Sequence, residues 1–274
     1  MEYLEHVVPA DLRLHLASAW RLVDGSPAGE TQTIYPDGCC ELIVHLASAP
    51  RGWDAQRGWH DQAATLFAAQ HLGPVRLLAT MPIDCVGLRL RPEASAILGG
   101  RSLVRDRILD LAEIDAPFSR ALRRAARAFA HGDAGALWSL VKRRLASQPI
   151  DAAVAGAVAR LRDSAGATRI ETVARAAGLS LRSLQTRFRR HVGLTPKEFA
   201  RVMRLRATLQ AMDAGDAALV DLAADQGFAD QAHATREVRR ITGLAPARLR
   251  AALRKDRTGE AAVRLAAAFV RGHS

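Results

Sequence analysis

The sequence predicts two unlike halves. The first is α+β, a small β-barrel or sheet plus helices; the second is all-α and holds two helix–turn–helix units. Three observations predict this. Short strand-like runs bounded by Pro or Gly fill the chain before Pro92. Helical spacing takes over beyond Pro92. And "GLSLRSLQTRFRRHVGLTP", from Gly178 to Pro196, is rewritten as "GFADQAHATREVRRITGLAP", from Gly227 to Pro246.

In the first half, "TQTIYPDGCCELIVHLAS" sets a Pro-Asp-Gly turn before an apolar run from Cys39 to Leu46. "ATLFAAQ", "VRLLAT" and "CVGLRLRP" read as further strands, and the last alternates from Val86 to Leu90 as a half-buried strand should. "EASAILGG", "RDRILDLAEI", "SRALRRAARAFAHG" and "AGALWSLVKRRLAS" have helical spacing. "ASQPID", Ala146 to Asp151, is the expected junction. The expected domains are therefore 1–150, a sensor or dimerisation unit, and 151–255. A tail helix is expected within 256–274, with Val263, Leu265, Phe269 and Val270 docked on the protein's own second half.

The duplication extends upstream of the two quoted stretches. At an offset of 49, Ile170 meets Leu219, Val173 meets Leu222, Gly178 meets Gly227 and Leu179 meets Phe228. At an offset of 50, Leu184 meets Ala234, Phe188 meets Val238, Gly193 meets Gly243 and Pro196 meets Pro246. Each copy is a short helix, a glycine turn, an apolar plug, a second helix and a stop, which is the helix–turn–helix pattern. The second helix of each copy has one apolar stripe and one polar, basic face. That face carries Arg182, Ser183, Gln185, Thr186 and Arg189 in the first copy. In the second it carries Gln231, Ala232, His233, Arg236 and Arg240. Arg matches the two acceptors of guanine and Gln the paired edge of adenine, so these faces suit a major groove.

The charge agrees. The net charge is +11, yet residues 1–152 hold 17 basic and 17 acidic residues, while 153–255 hold 19 and 9. Only Lys142, Lys197 and Lys255 are lysines, a usage that fits a GC-rich genome. Base composition explains Arg in place of Lys, but not a basic excess confined to the repeat. That excess points to a polyanion, most simply double-stranded DNA.

"LVDLAADQGFADQAHATREVRRITGLAPARLR" and "IETVARAAGLSLRSLQTRFRRHVGLTPKEF" resemble the two helix–turn–helix segments of the AraC/XylS family of bacterial transcription regulators. The resemblance covers roughly 155–255. It implies two units joined by a long helix over 197–212, with both recognition helices entering successive major-groove segments on one face of DNA. Carried over by helix position, it places Arg182, Gln185 and Thr186, then Gln231, Ala232, His233 and Arg236, against bases. Ala234 and Val238 stand where the family has larger apolar residues, so the second unit is expected to be the less stable or to read fewer bases. More loosely, "YPDGCCELIVHL" and "VGLRLRPEASAILGG" are similar to the N-terminal domains of an AraC-like subgroup, which implies a small-barrel, cupin-like domain. The partners so implied are DNA, a small-molecule effector, a second copy in a homodimer and, for an activator, RNA polymerase, in a cytoplasmic protein with no membrane partner.

Other chemistry is weakly supported. His45, His60 and His71 are single histidines, without the His-x-His pair of a metal cupin, and no Walker loop, Gly-x-Ser-x-Gly or Gly-x-Gly-x-x-Gly occurs. No enzyme activity, metal or cofactor is expected. Cys39, Cys40 and Cys85 form no Cys-x-x-Cys, and read as reduced thiols, with a redox pair at Cys39–Cys40 as the alternative. Trp53, Trp59, Tyr35 and Arg89 are candidate ligand-binding residues, Arg89 pairing either with an acidic ligand or with Glu41. The basic, amphipathic "RALRRAARAFA" reads as a packed helix rather than a membrane surface. Two rival readings remain: a small-molecule-binding or catalytic barrel whose basic domain only anchors it to nucleic acid, and a nucleoid protein without sequence preference.

Overall fold

The computed structural model describes residues 2–25, 29, 31–98, 105–146, 149–214 and 231–257. Its first half holds ten strands: β1 (Glu2–His6), β2 (Leu16–Asp24), β3 (Thr31–Ile34), β4 (Cys40–His45), β5 (Arg51–Asp54), β6 (Gly58–Asp61), β7 (Thr65–Ala68), β8 (Val75–Leu78), β9 (Ile83–Leu90) and β10 (Ile108–Asp110). They form two sheets, one in the order β1-β2-β9-β4-β7-β10 and one in the order β3-β8-β5-β6. Among the described residues every strand pairing is antiparallel. The expectation of a barrel or sheet resolves to sheets: among the described residues no hydrogen-bonded barrel closes. "RDRILDLAEI", expected to be helical, instead supplies edge strand β10 and then one short helix, α1 (Leu111–Ile114). Its backbone groups bond to β7, and that tertiary pairing overrides the local periodicity.

Two-residue alternation puts the large sheet between two layers. Leu42 and Val44 of β4, with Val86, Leu88 and Leu90 of β9, pack outward on α2 (Ala116–Ala130) and α3 (Gly135–Leu145). Leu122, Phe129, Leu137 and Val141 complete that core. Asp115 caps α2 by accepting from the Phe118 N–H at 3.0 Å. Arg21 ties the other end down, gripping Asp84 at 3.0 and 2.8 Å and donating to the Ala130 carbonyl at 2.7 Å. "RALRRAARAFA" is thus a packed helix, as its spacing suggested.

The opposite alternation, Glu41, Ile43 and His45 on β4 with Cys85 and Arg89 on β9, faces the small sheet. Trp20 lies flat over Gly87, where an added Cβ would sit 2.0 Å from the indole ring. From there the indole N–H donates to Glu41 Oε1 at 3.2 Å.

The second half is helical: α4 (Ala152–Asp163), α5 (Ile170–Ala176), α6 (Leu181–Val192), α7 (Pro196–Ala214), α8 (Gln231–Thr242) and α9 (Pro246–Arg257). Around α7 sit two cores. Val154, Val158, Leu161, Val173, Leu184, Phe188 and Val192 meet Phe199 and Met203 on one side, with the Phe188 and Phe199 rings edge-on at 5.5 Å. On the other, Leu205, Leu209 and Met212 meet Val238, Ile241 and Leu249. Tyr35, from the first half, is buried in that second core. The Pro-Asp-Gly turn follows, and Gly38, at φ +84°, lets α7 approach so closely that a Cβ would meet Met203 Cε at 2.6 Å. The first-half segment Pro92–Leu98, a 3-10 turn, lies beside α6.

Gly87→Ala is expected to push Trp20 off the sheet and cost its bond to Glu41. Overpacking and the lost bond together should destabilise by about 3 kcal/mol. Urea unfolding of the two proteins measures this, and equal stability would contradict the packing described.

Candidate nucleic-acid interface

Helix α6 is built to show one face. Ser180 caps it, accepting from the Ser183 N–H at 3.1 Å. Gly193 ends it in the left-handed region at φ 87°, its N–H bonded to the Arg189 carbonyl at 3.0 Å. Leu184, Phe188 and Val192 recur every four residues and are fully buried. Arg182, Gln185, Thr186 and Arg189 therefore lie on the exposed face, while Ser183 is half-buried. Before α6, Gly178 turns the chain at φ 67°, and the plug Leu179 packs against the first core.

Not every arginine faces out. Arg187 Nε donates to Asp151 at 2.7 Å, and Asp151 also accepts from the Ala153 and Val154 N–H groups at the start of α4. One carboxylate thus caps one helix and anchors another; its place just before an apolar helical run was the sequence signal for the cap, but not for the anchor. Burial raises the Asp151 carboxyl, but the Arg187 bond and the Val154 N–H outweigh it, and it falls below the usual aspartate value.

Helix α7 opens on a capping box: the Thr195 N–H donates to Glu198 Oε2 at 2.8 Å, and the Glu198 N–H donates to Thr195 Oγ1 at 3.1 Å. Arg105, from the first half, pairs with the same Glu198. On α8, Ala234 and Val238 are buried and Ala232, Arg236 and Arg240 are exposed, with Gln231 and His233 in the first turn. Arg240 donates to Glu237 at 3.1 Å, and Arg201 of α7 reaches the same carboxylate at 3.1 Å. The helix expected before α8, with Gly227 and Phe228, lies outside the described residues, as does the tail helix of 259–271.

The front-half candidates separate. Arg89 is buried and pairs with Glu41 at 2.9 Å and with Asp37 at 3.3 Å, the internal alternative of the two read from sequence. Burial opposes its charge, but the two carboxylates outweigh that and hold it ionised. Tyr35 lines the cavity between the sheets. Trp53 and Trp59 face each other across the β5–β6 pair. Trp53 is 39% exposed, with Arg76 stacked 4.8 Å from its ring centroid, and neither tryptophan lines that cavity. Burial raises all three thiols, Cys40 to about 12, which is the reverse of what a reactive thiolate needs.

Residues 173–252 match a family model described as a helix-turn-helix domain. The C-terminal region carries an AraC-type helix-turn-helix domain. A helix-turn-helix domain is a DNA-binding module, which fits the basic, exposed face of α6. No curated protein matches the sequence. Among solved structures, the chain is similar to ToxT from Vibrio cholerae at 12% identity over 91% of this chain and 98% of that one, with a TM-score of 0.46. ToxT bound to (E)-4-(8-methylnaphthalen-1-yl)but-3-enoic acid gives 13% over 86% and 97%, at 0.47. An AraC-type DNA-binding domain-containing transcriptional regulator from Chromobacterium violaceum gives 20% over 37% and 91%, at 0.35. Among the described residues no helix is long and apolar enough to cross a membrane.

Asp151→Asn removes the shared anchor. Because the folded carboxyl titrates below its ordinary value, its stabilisation is present above pH 3.8 and lost as the pH falls through the lowered value. Thermal unfolding should therefore find the variant less stable at pH 7, with the gap closing in acid below pH 3.8; a gap independent of pH would contradict the ionic role.

Proposed function

We propose that the protein is a sequence-specific regulator that inserts α6 and α8 into successive major-groove segments on one face of duplex DNA, under the control of a small molecule bound in the first half. On this reading residues 1–150 sense or dimerise, and 151–255 bind DNA. The observation that carries it is the split of α6: an apolar stripe wholly buried, and Arg182, Gln185, Thr186 and Arg189 exposed on the other side. Arg182, Gln185 and Thr186 read bases. Arg189 and the remaining exposed arginines neutralise phosphates, which supplies affinity without sequence preference. Arg236, Arg240 and the first turn of α8, with Gln231, Ala232 and His233, do the same one helical turn away, ~10 bp along the duplex. The effector part is supported by the cavity between the sheets and by Tyr35, which touches both that cavity and the core under α8.

Selection of the full-length protein against a random duplex library is expected to enrich an asymmetric site with two blocks about one turn apart. On that site, Arg182→Ala and Gln185→Ala should each cost about 1–3 kcal/mol at particular base pairs and far less elsewhere. Binding should weaken steeply as salt rises. Equal losses at every sequence would reassign both residues to phosphate contacts, and tight binding with no enriched site would favour a nucleoid protein.

A further inference from the structure

The cavity between the sheets has walls of Trp20, Leu22, Ile34, Ile43, Leu77 and Ile83, and a volume of about 110 Å³. That is less than the ~150 Å³ of an apolar protein cavity that holds benzene, so the space admits at most a single small ring. Its polar lining holds an ion cluster, the amides of Gln32 and Gln62, and two histidines, His45 and His71, of which only His45 has both ring nitrogens without a partner among the described residues. Toward one end, Glu41 accepts from Trp20 and Arg89, and Arg89 also meets Asp37, so each charge there already faces an opposite one. With two carboxylates to one guanidinium it offers an incoming anion no net positive charge.

Four residues further along the same face of β4 stands His45, about 13 Å away at strand spacing. It is 4% exposed, and neither ring nitrogen finds a partner among the described residues. Burial lowers its pKa to about 4, so at neutral pH the ring is uncharged and offers one donor and one acceptor. The two nitrogens point apart, so one hydroxyl reaches one of them, and it can serve there as donor or as acceptor.

We propose that this cavity binds a small, neutral, single-ring molecule bearing one hydroxyl, anchored on His45 and packed against the apolar walls. The occupant meets Tyr35, which also belongs to the core that holds Leu205, Leu209 and Val238 of α7 and α8. It is thereby the effector of the regulator described above. That consequence rests on the regulatory reading, whereas binding itself does not.

Calorimetry on the full-length protein without DNA tests the site, with phenol, toluene and benzoate as probes. Phenol is expected to bind at least about tenfold more tightly than either of the others, a difference the size of one buried hydrogen bond. His45→Leu should reduce phenol to the level of toluene and leave toluene unchanged, and in the native protein the His45 imidazole resonances should shift with phenol but not with toluene. Benzoate binding as well as phenol, toluene matching phenol, or no binding of any probe at millimolar concentration would each overturn the proposal, and none of these needs a variant to fold. DNA binding is measured separately: phenol bound with operator affinity unchanged overturns the effector role, and phenol bound by a protein that never binds DNA overturns the regulatory reading while leaving the site.

Discussion

Arg89 is a full charge placed where water does not reach, and much of the first half is arranged to make that tolerable. A guanidinium at 2% exposure survives only with opposite charge and hydrogen bonds around it. Glu41 supplies both from the next strand, and Asp37 supplies charge from the turn before it. The cluster therefore fixes three things together. It fixes the register of β4 on β9, where Glu41 faces Arg89 directly. It fixes the tilt of Trp20, whose N–H completes the Glu41 shell over Gly87. And it fixes the path of the Pro-Asp-Gly turn.

That turn is where the two halves meet. Tyr35 enters the core beneath α8, Gly38 lies against Phe199 and Met203 of α7, and Gln70 donates to the Gly38 carbonyl at 2.6 Å. The four residues Tyr35 to Gly38 thus run from a core beneath α8, along a cavity wall and past a buried ion cluster, to the long helix α7. Tight packing of this kind passes a small displacement on instead of absorbing it. On the proposed reading, a ligand beside Tyr35 shifts the same surface on which α7 and α8 are seated. Arg105 on Glu198 adds a second tie, at the first turn of α7.

The basic excess of the second half has two physical uses. Arg187, Arg201 and Arg204 are spent inside the protein, on Asp151, on Glu237 and on the Gly166 carbonyl. Their planar forks hold helices to one another, which a compact ammonium does less well. Arg182 and Arg189 stand on the exposed face of α6 instead. Arg240 lies between these cases, exposed but bonded to Glu237, so any phosphate it meets competes with that carboxylate.

The sequence by itself determined the repeat, because its signals are local: a glycine at the turn, an apolar residue every three or four positions, a proline after the stop. It likewise marked Arg182, Gln185, Thr186 and Arg189 as the outer face of α6, since helical periodicity alone decides which side is buried. It placed β4 from a continuous apolar run after a turn, and β9 from alternation with period two. It did not place β1, β5 or β6, whose residues are exposed or mixed, nor β2, which is largely buried; β6 takes strand form only through its hairpin with β5, and β1 only through its pairing with β2. It read "RDRILDLAEI" as helix, because β10 exists only through its bonds to β7. Only the tertiary structure decided that Arg89 meets Glu41 and Asp37, that Asp151 holds Arg187, that Tyr35 leaves its own half for the core under α8, and that His45, buried on a mostly apolar cavity wall, finds no partner for its ring nitrogens among the described residues. Each of these joins residues far apart in the chain, and no local pattern encodes which distant group a buried charge or ring will meet.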